Sequence, residues 1–206
     1  MSARQEQAAE LTRAGASILF GALASWGRHD GCHLTRVPRH GIIVDGMTVG
    51  SPVTILVRQA ENAEATLLTS LALRSKASHG YDAAFMEKCR NELFIGSHSL
   101  SERDIWVAQD TAGTIVGFFG LWPPVGGVAE VDPVFVEPAR TGQGVGQALW
   151  RKLEDRARFA GADKIGLDAD PNAVGFYERM GCVTIGESPS ASIPGRFLPR
   201  MEKRLL

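Results

Sequence analysis

Three glycines at alternate positions, Gly142, Gly144 and Gly146, follow a β-branched and aromatic run that ends at Pro138. A helical pattern begins at once after them, with Ala148, Leu149, Leu153 and Ala157 on one face. Strand, glycine loop and helix in that order can grip a pyrophosphate. Glycines let the backbone curl close to a ligand, and the first N–H groups of a helix have no intrahelical partner. Those donors, with the positive end of the helix dipole, point at an anion. Two phosphate loops are excluded by spacing. A Walker loop requires Lys and then Ser or Thr after its last glycine, whereas Gly146 is followed by Gln147 and Ala148. The dinucleotide fingerprint places its third glycine three positions after the second, and here it comes two after.

In its context the loop closely resembles the acetyl-CoA-binding segment of the GNAT superfamily of N-acetyltransferases, which reads Arg/Gln-x-x-Gly-x-Gly/Ala. Gly144 and Gly146 take the two small positions, and Gly142 and Gln143 fall between Thr141 and Gly144. Thr141 stands where the family has Arg or Gln, and Arg140 one place earlier is available to offer a charge instead. The backbone cradle survives that departure because it uses N–H groups, and the property it touches is cofactor affinity. A second block supports the first. Residues 170–182, from Asp170 through Phe176-Tyr177 to Gly181-Cys182, resemble the family's later segment Asn-x-x-(Ala)-x-x-Phe-Tyr-x-x-x-Gly-Phe, with Cys182 replacing the usual Phe. Pro171 suits a first helical turn, Asp170 a cap just before it and Gly181 a helix end.

The resemblance covers about Val53 to the C-terminus. It implies a GNAT acyl-CoA N-acyltransferase fold, an α/β class with a central mixed, mostly antiparallel sheet splayed at a cofactor slot and flanked by helices. It also implies acetyl-CoA as acyl donor, with no metal. Val134, Phe135 and Val136 are expected to hold the pantetheine arm by backbone pairing. Thr141, Gly142, Gln143, Gly144, Val145, Gly146 and Gln147 are expected to cradle the pyrophosphate, and Asn172 to hydrogen-bond the pantetheine or its backbone neighbours. Pro133, just before the cofactor strand, cannot donate to a ladder and predicts a bulge, which is what an opening slot requires.

Acetyl transfer to an amine requires a positioned thioester, loss of a proton from the ammonium and a proton for the departing thiolate. Glu130 is the candidate base. It lies 14 residues before Gly144 in an Ala-Glu-Val setting, as in histone-acetyltransferase members of the family. Asp132 shares its face on a regular strand, so the two carboxylates are expected either to raise one another's proton affinity or to bind a cationic amine. The plain alternative is a pair of solvated strand-end carboxylates. Tyr177 is the candidate acid: the family's Phe-Tyr helix brings the hydroxyl near the thioester sulfur, and a phenol of pKa about 10 can protonate a thiolate. Its plain alternative is a core tyrosine. On the acceptor side, the loop after the first helix offers Ser75, His79 and Tyr81, and Ser192 to Arg196 is read as a lid with Arg196 facing a carboxylate. A polar interhelical loop without a ligand is the rival reading.

With hydrophobic residues at 44%, charged residues at 22% and a net charge of −1, the chain can build an ordinary core and has no overall attraction to nucleic acid or anionic membranes. Cys32, Cys89 and Cys182 are scattered and odd in number, which argues against a disulfide framework or structural zinc and for a cytoplasmic protein. No apolar run reaches the roughly 18 residues of a membrane span.

From Val53 the pattern predicts a strand to Arg58, a helix from Asn62 to Arg74 and a second, capped by Asp82, through Leu93. A hairpin over Ile105–Ala108 and Thr114–Trp122, a strand over Val128–Val136 and final strands near 182–186 and 196–203 complete it. Residues 1–52 are read as an N-terminal extension, with a helix expected over Glu6 to Gly27 and then an irregular stretch. Arg13 and the apolar residues to Ala24 superficially resemble a signal peptide, but Glu6 and Glu10 sit in the would-be basic region and glycines dilute the run. Met47 as the native start and an accessory helix on the sheet both stay open. The partner expected is a small-molecule or peptide amine, with homodimerisation open. The rival to an enzyme is a non-catalytic acyl-CoA-binding or sensor module of the same fold.

Overall fold

The computed structural model describes residues 54–205. The predicted extension over residues 1–52, with Cys32 and Met47, lies outside them. Among these described residues seven strands form a single sheet: β1 (Leu56–Gln59), β2 (Asp104–Gln109), β3 (Ile115–Leu121), β4 (Val128–Val136), β5 (Lys164–Asp168), β6 (Val183–Pro189) and β7 (Phe197–Arg204). Their order is β1-β2-β3-β4-β5-β7-β6. Every neighbouring pair is antiparallel except β4 and β5. A parallel pair needs a crossover, and the long helix between β4 and β5 supplies it. The mixed, mostly antiparallel sheet read from the sequence is therefore the observed one.

Helices α1 (Ala65–Ala77), α2 (Ala83–Cys89), α3 (Ser97–Glu102), α4 (Val145–Phe159) and α5 (Val174–Arg179) cover the sheet. The stripe Val145, Ala148, Leu149, Leu153 and Ala157 of α4 is buried, in one cluster with Ala129, Val131, Ile165 and Leu167. A second cluster joins Leu68, Leu71 and Ala72 of α1 to Val107, Phe118 and Phe135. With apolar cover on both faces, β3 is buried at every position, which is why it reads as a continuous apolar run instead of alternating. Gly117 in its middle lets the layers close: a Cβ there would stand 2.8 Å from the Phe135 carbonyl oxygen and 3.0 Å from Leu149 Cδ1.

Asp82 caps α2 as expected, its carboxylate accepting the Phe85 N–H at 2.8 Å. That helix ends at Cys89, short of the predicted Leu93, and α3 was not predicted. Ser97 to Glu102 carries a single apolar residue, Leu100, so it has no periodicity to read. Among the described residues no helix is long and apolar enough to cross a membrane.

Two features of β4 shape the site. First, Phe118 pairs with Phe135 but Gly120 pairs with Asp132, so Phe119 faces both Pro133 and Val134. This is the bulge that Pro133 predicts, since proline has no N–H for the ladder. It also reverses the side-chain alternation: Ala129 and Val131 lie in the α4 cluster, whereas Phe135 lies in the α1 cluster beside Phe118, 5.2 Å away between ring centres. Second, β4 pairs with β5 only from Val128↔Lys164 to Glu130↔Gly166, although β4 continues to Val136. Beyond Glu130 the two parallel strands part.

Candidate active site

The opening between β4 and β5 is where the backbone of β4 has donors to offer. The Val134 N–H is met by the Tyr177 hydroxyl at 3.1 Å, and the Val136 N–H by the Ser75 hydroxyl at 3.4 Å. Tyr177 is 1% exposed and packs edge-on against Trp150 and Phe176. Burial pushes its phenol well above the ordinary tyrosine value, with the Val134 N–H pulling the other way. The proton therefore stays on this oxygen at neutral pH. Ser75, expected on the acceptor side, instead touches the strand expected to carry the pantetheine. Val134 and Val136 are partly buried, while the Phe135 side chain belongs to the core.

At the C-terminal end of β4 the chain makes a 3-10 turn, Pro138–Arg140, and enters the glycine loop. Gly142 and Gly144 have φ of 79° and 84°, a left-handed backbone that L side chains rarely adopt. A Cβ on either would meet nothing within 4 Å, so both border open space. Gly144 is the N-cap of α4 and Val145 its first residue, so the N–H groups of Val145, Gly146 and Gln147 precede any intrahelical acceptor. Gly146 has a different reason to be glycine: its Cβ would stand 3.0 Å from the Phe176 ring of α5. Val145 is buried, and Thr141, Gln143 and Gln147 are exposed, with the Gln143 side chain donating to the Ala139 carbonyl at 3.0 Å. Arg140 does not offer a free charge. Its guanidinium donates to Asp110 at 2.7 Å, and Asp110 also accepts the Ala112 and Thr114 N–H groups. The hairpin turn thus anchors the glycine loop.

Glu130 and Asp132 do not form the coupled pair that the strand pattern suggests, because each finds its own arginine. Both Glu130 oxygens receive Arg200 N–H bonds, one at 2.7 Å, and Arg200 also reaches Asp168 at 3.5 Å. Asp132 accepts from Arg103 and, at 3.3 Å, from the Trp122 indole N–H. Gly166 makes room for the first pair, since a Cβ there would collide with an Arg200 nitrogen and stand 2.9 Å from a Glu130 oxygen.

A third group joins the end of α1, the α1–α2 loop and the start of α2 to the segment after β5 and the β6–β7 loop. Asp170, 8% exposed, accepts from the Lys76 ammonium at 3.0 Å, the Tyr81 hydroxyl at 3.0 Å, and the Asn172 backbone N–H at 3.0 Å and amide side chain at 3.1 Å. Arg196 donates to the Tyr81 hydroxyl at 2.6 Å and lies over the stacked rings of Tyr81 and Phe85. Arg196 does face a carboxylate, but one of the protein's own: Asp170, 3.7 Å away. Asn172 belongs to this cluster, while His79 is exposed on the turn. Lys76, Phe85 and Arg200 were not picked out from the sequence, and Asp170 was read there only as a helix cap. Burial raises the Asp170 carboxyl, but the Asn172 N–H, Lys76 and Tyr81 outweigh it and hold the group below the usual carboxylate range.

An Asp170→Ala variant is expected to lose about 3–5 kcal/mol of stability in urea denaturation, the cost of leaving a largely buried cation without its partner. Because the folded-state pKa is depressed, this stabilisation is present above about pH 4 and is lost as pH falls through the folded value. The variant should show a correspondingly weaker loss of stability in that acid window. Among the described residues no three His, Cys, Asp or Glu side chains converge as a metal site, and Cys89 and Cys182 are free and buried.

The splayed parallel pair, the glycine loop at a helix N-terminus and the buried phenol between them define an acyl-CoA transferase type of fold. The model of the acetyltransferase (GNAT) family matches residues 70–182, and the chain belongs to that family. A glucosamine 6-phosphate N-acetyltransferase from Oryza sativa subsp. japonica is 36% identical over 58 residues, 28% of this chain; the chain spans 35% of that relative's length. A GCN5-related N-acetyltransferase from Rhodopseudomonas palustris superposes with a TM-score of 0.62 at 24% identity, over 78% of this chain and all of the other. A putative acetyltransferase from Salmonella typhimurium, solved with its cofactor acetyl-CoA, superposes at 0.54 and 18% identity, over 74% and 94% of the two chains. At these identities the two structures speak for the fold.

Proposed function

We propose that this chain moves the acetyl group of acetyl-CoA to a primary amine by direct attack. The observation that carries this reading is the Val134 N–H, freed from the β5 ladder by the splay and met by the Tyr177 hydroxyl. A thioester entering the opening takes over that N–H for its carbonyl oxygen, which stabilises the charge that develops there on attack. It does so beside a phenol that keeps its proton for the departing thiolate. Residues 142–147 receive the pyrophosphate through backbone N–H groups, which explains why Thr141 is tolerated at the family's Arg/Gln position. Glu130 retains the lone pairs that Arg200 leaves, and its role is to orient the amine and pass its proton to water. Asp132, tied to Arg103 and Trp122, shapes the wall beside it.

Calorimetric titration of acetyl-CoA into the full chain is expected to show saturable binding at one site, followed by amine-dependent release of coenzyme A. Absence of saturable binding would overturn the reading. Binding without release for any primary amine would favour the non-catalytic acyl-CoA-binding module, to which the arginine-bound state of Glu130 lends some support.

A further inference from the structure

The cluster around Asp170 is short of acceptors and rich in donors. Asp170 receives four hydrogen bonds, from the backbone and side chain of Asn172, from Tyr81 and from Lys76, which fills both of its oxygens. The Tyr81 hydroxyl donates to Asp170 and accepts from Arg196 and Asn172, so it too is filled. Lys76 spends a single N–H on Asp170, and Arg196 spends one on Tyr81. Most of the donor capacity of both cations is therefore unspent. Their side chains are only 14% and 18% exposed, so water satisfies little of it. Two positive charges meet one carboxylate here. The next carboxylates along the loops, Asp82 and Glu92, are exposed and already take the Phe85 N–H and the Ser192 hydroxyl. The Arg196 guanidinium is also pre-oriented, held by the Tyr81 hydroxyl and against the rings of Tyr81 and Phe85, 5.1 and 4.9 Å from their centres. A flat, fixed guanidinium suits an oxyanion that can take parallel N–H bonds.

The place matters as much as the charge. Asp170 and Asn172 lie directly between β5, one wall of the opening, and α5, which carries Tyr177. Resting on the acetyltransferase reading above, we propose that the acceptor is a primary amine that also carries an anionic oxygen group, a carboxylate or a phosphoryl group, and that Arg196 and Lys76 receive that group. The amine nitrogen is then presented toward Glu130 and the thioester. This role makes Arg196 and Lys76 specificity residues and leaves Asp170 and Tyr81 to position them.

Two measurements on the full chain saturated with coenzyme A test it. Acetate and inorganic phosphate are titrated separately while the backbone N–H signals are followed by NMR. At least one is expected to give a saturable shift, which weakens by about thirtyfold or more in Arg196→Gln and also weakens in Lys76→Met. Which of the two saturates separates carboxylate from phosphoryl. In the second arm, amines are compared in pairs that differ only in the anion: glycine with glycinamide, and O-phosphoethanolamine with ethanolamine. The anionic member is expected to have the higher kcat/KM, and the ratio to fall toward unity in Arg196→Gln. No saturable shift with either anion, or preference for the neutral members, overturns the proposal. Acetyl-CoA calorimetry on the same samples separates the two claims: normal binding leaves the acetyltransferase reading standing while this one falls, and absent binding removes the reading itself.

Discussion

Gly144→Glu is expected to abolish saturable acetyl-CoA binding, a loss of at least about a hundredfold in affinity. Three effects act together. The residue sits at φ 84°, where any side chain pays backbone strain of about 1–3 kcal/mol. Its Cβ direction meets no atom within 4 Å, so the new side chain enters the space proposed for the pyrophosphate instead of clashing with the protein. A carboxylate at the N-cap of α4 also satisfies the helix N-terminal donors from within the chain, and it repels a pyrophosphate that approaches them. Gly144→Ala separates these effects, because it carries the strain without the charge or the reach. It should lose affinity only severalfold. Calorimetry on both variants, with unfolding midpoints to confirm that each remains folded, decides the matter. Retained micromolar binding in Gly144→Glu would place the pyrophosphate elsewhere.

What the sequence reveals and what it conceals divide along a physical line. Features set by neighbours in the chain were legible. The glycine loop and the α4 stripe follow from local conformation and helical period, and so do the Asp82 cap and the bulge at Pro133. The α/β class with one parallel crossover followed from the order of those elements. Features set by partners far along the chain were not legible. Glu130 and Arg200 are 70 residues apart, and Lys76 and Asp170 are 94 apart. Nothing in the Ala-Glu-Val setting of Glu130 announces an arginine two strands away. Arg140 shows the same limit in reverse: its position beside the loop suggested a free charge, and Asp110 on the β2–β3 turn claims it. Ser75 is a third case, expected on a loop but found in the last turn of α1, where its hydroxyl meets the backbone of β4. In each case the residue type was informative and the tertiary partner decided its use.

Tyr177→Phe tests the chemistry most directly, and kcat is expected to fall by about a hundredfold or more while acetyl-CoA affinity changes little. The separation follows from the geometry. The hydroxyl accepts from the Val134 N–H, a group the thioester is proposed to take over on binding. Removing the hydroxyl costs one buried hydrogen bond in both states, to the Val134 N–H without the thioester and to its sulfur with it, about 1–3 kcal/mol of stability. It costs the complex little ground-state binding. The departing thiolate, by contrast, loses its proton donor, and that loss is felt only in the transition state. Because burial raises the phenol, the wild-type acid stays protonated well past the usual tyrosine range. An alkaline decline in kcat below about pH 10 should therefore not be assigned to Tyr177. An unchanged kcat in Tyr177→Phe would return this residue to the core beside Trp150 and Phe176, and the thiolate would have to draw its proton from water.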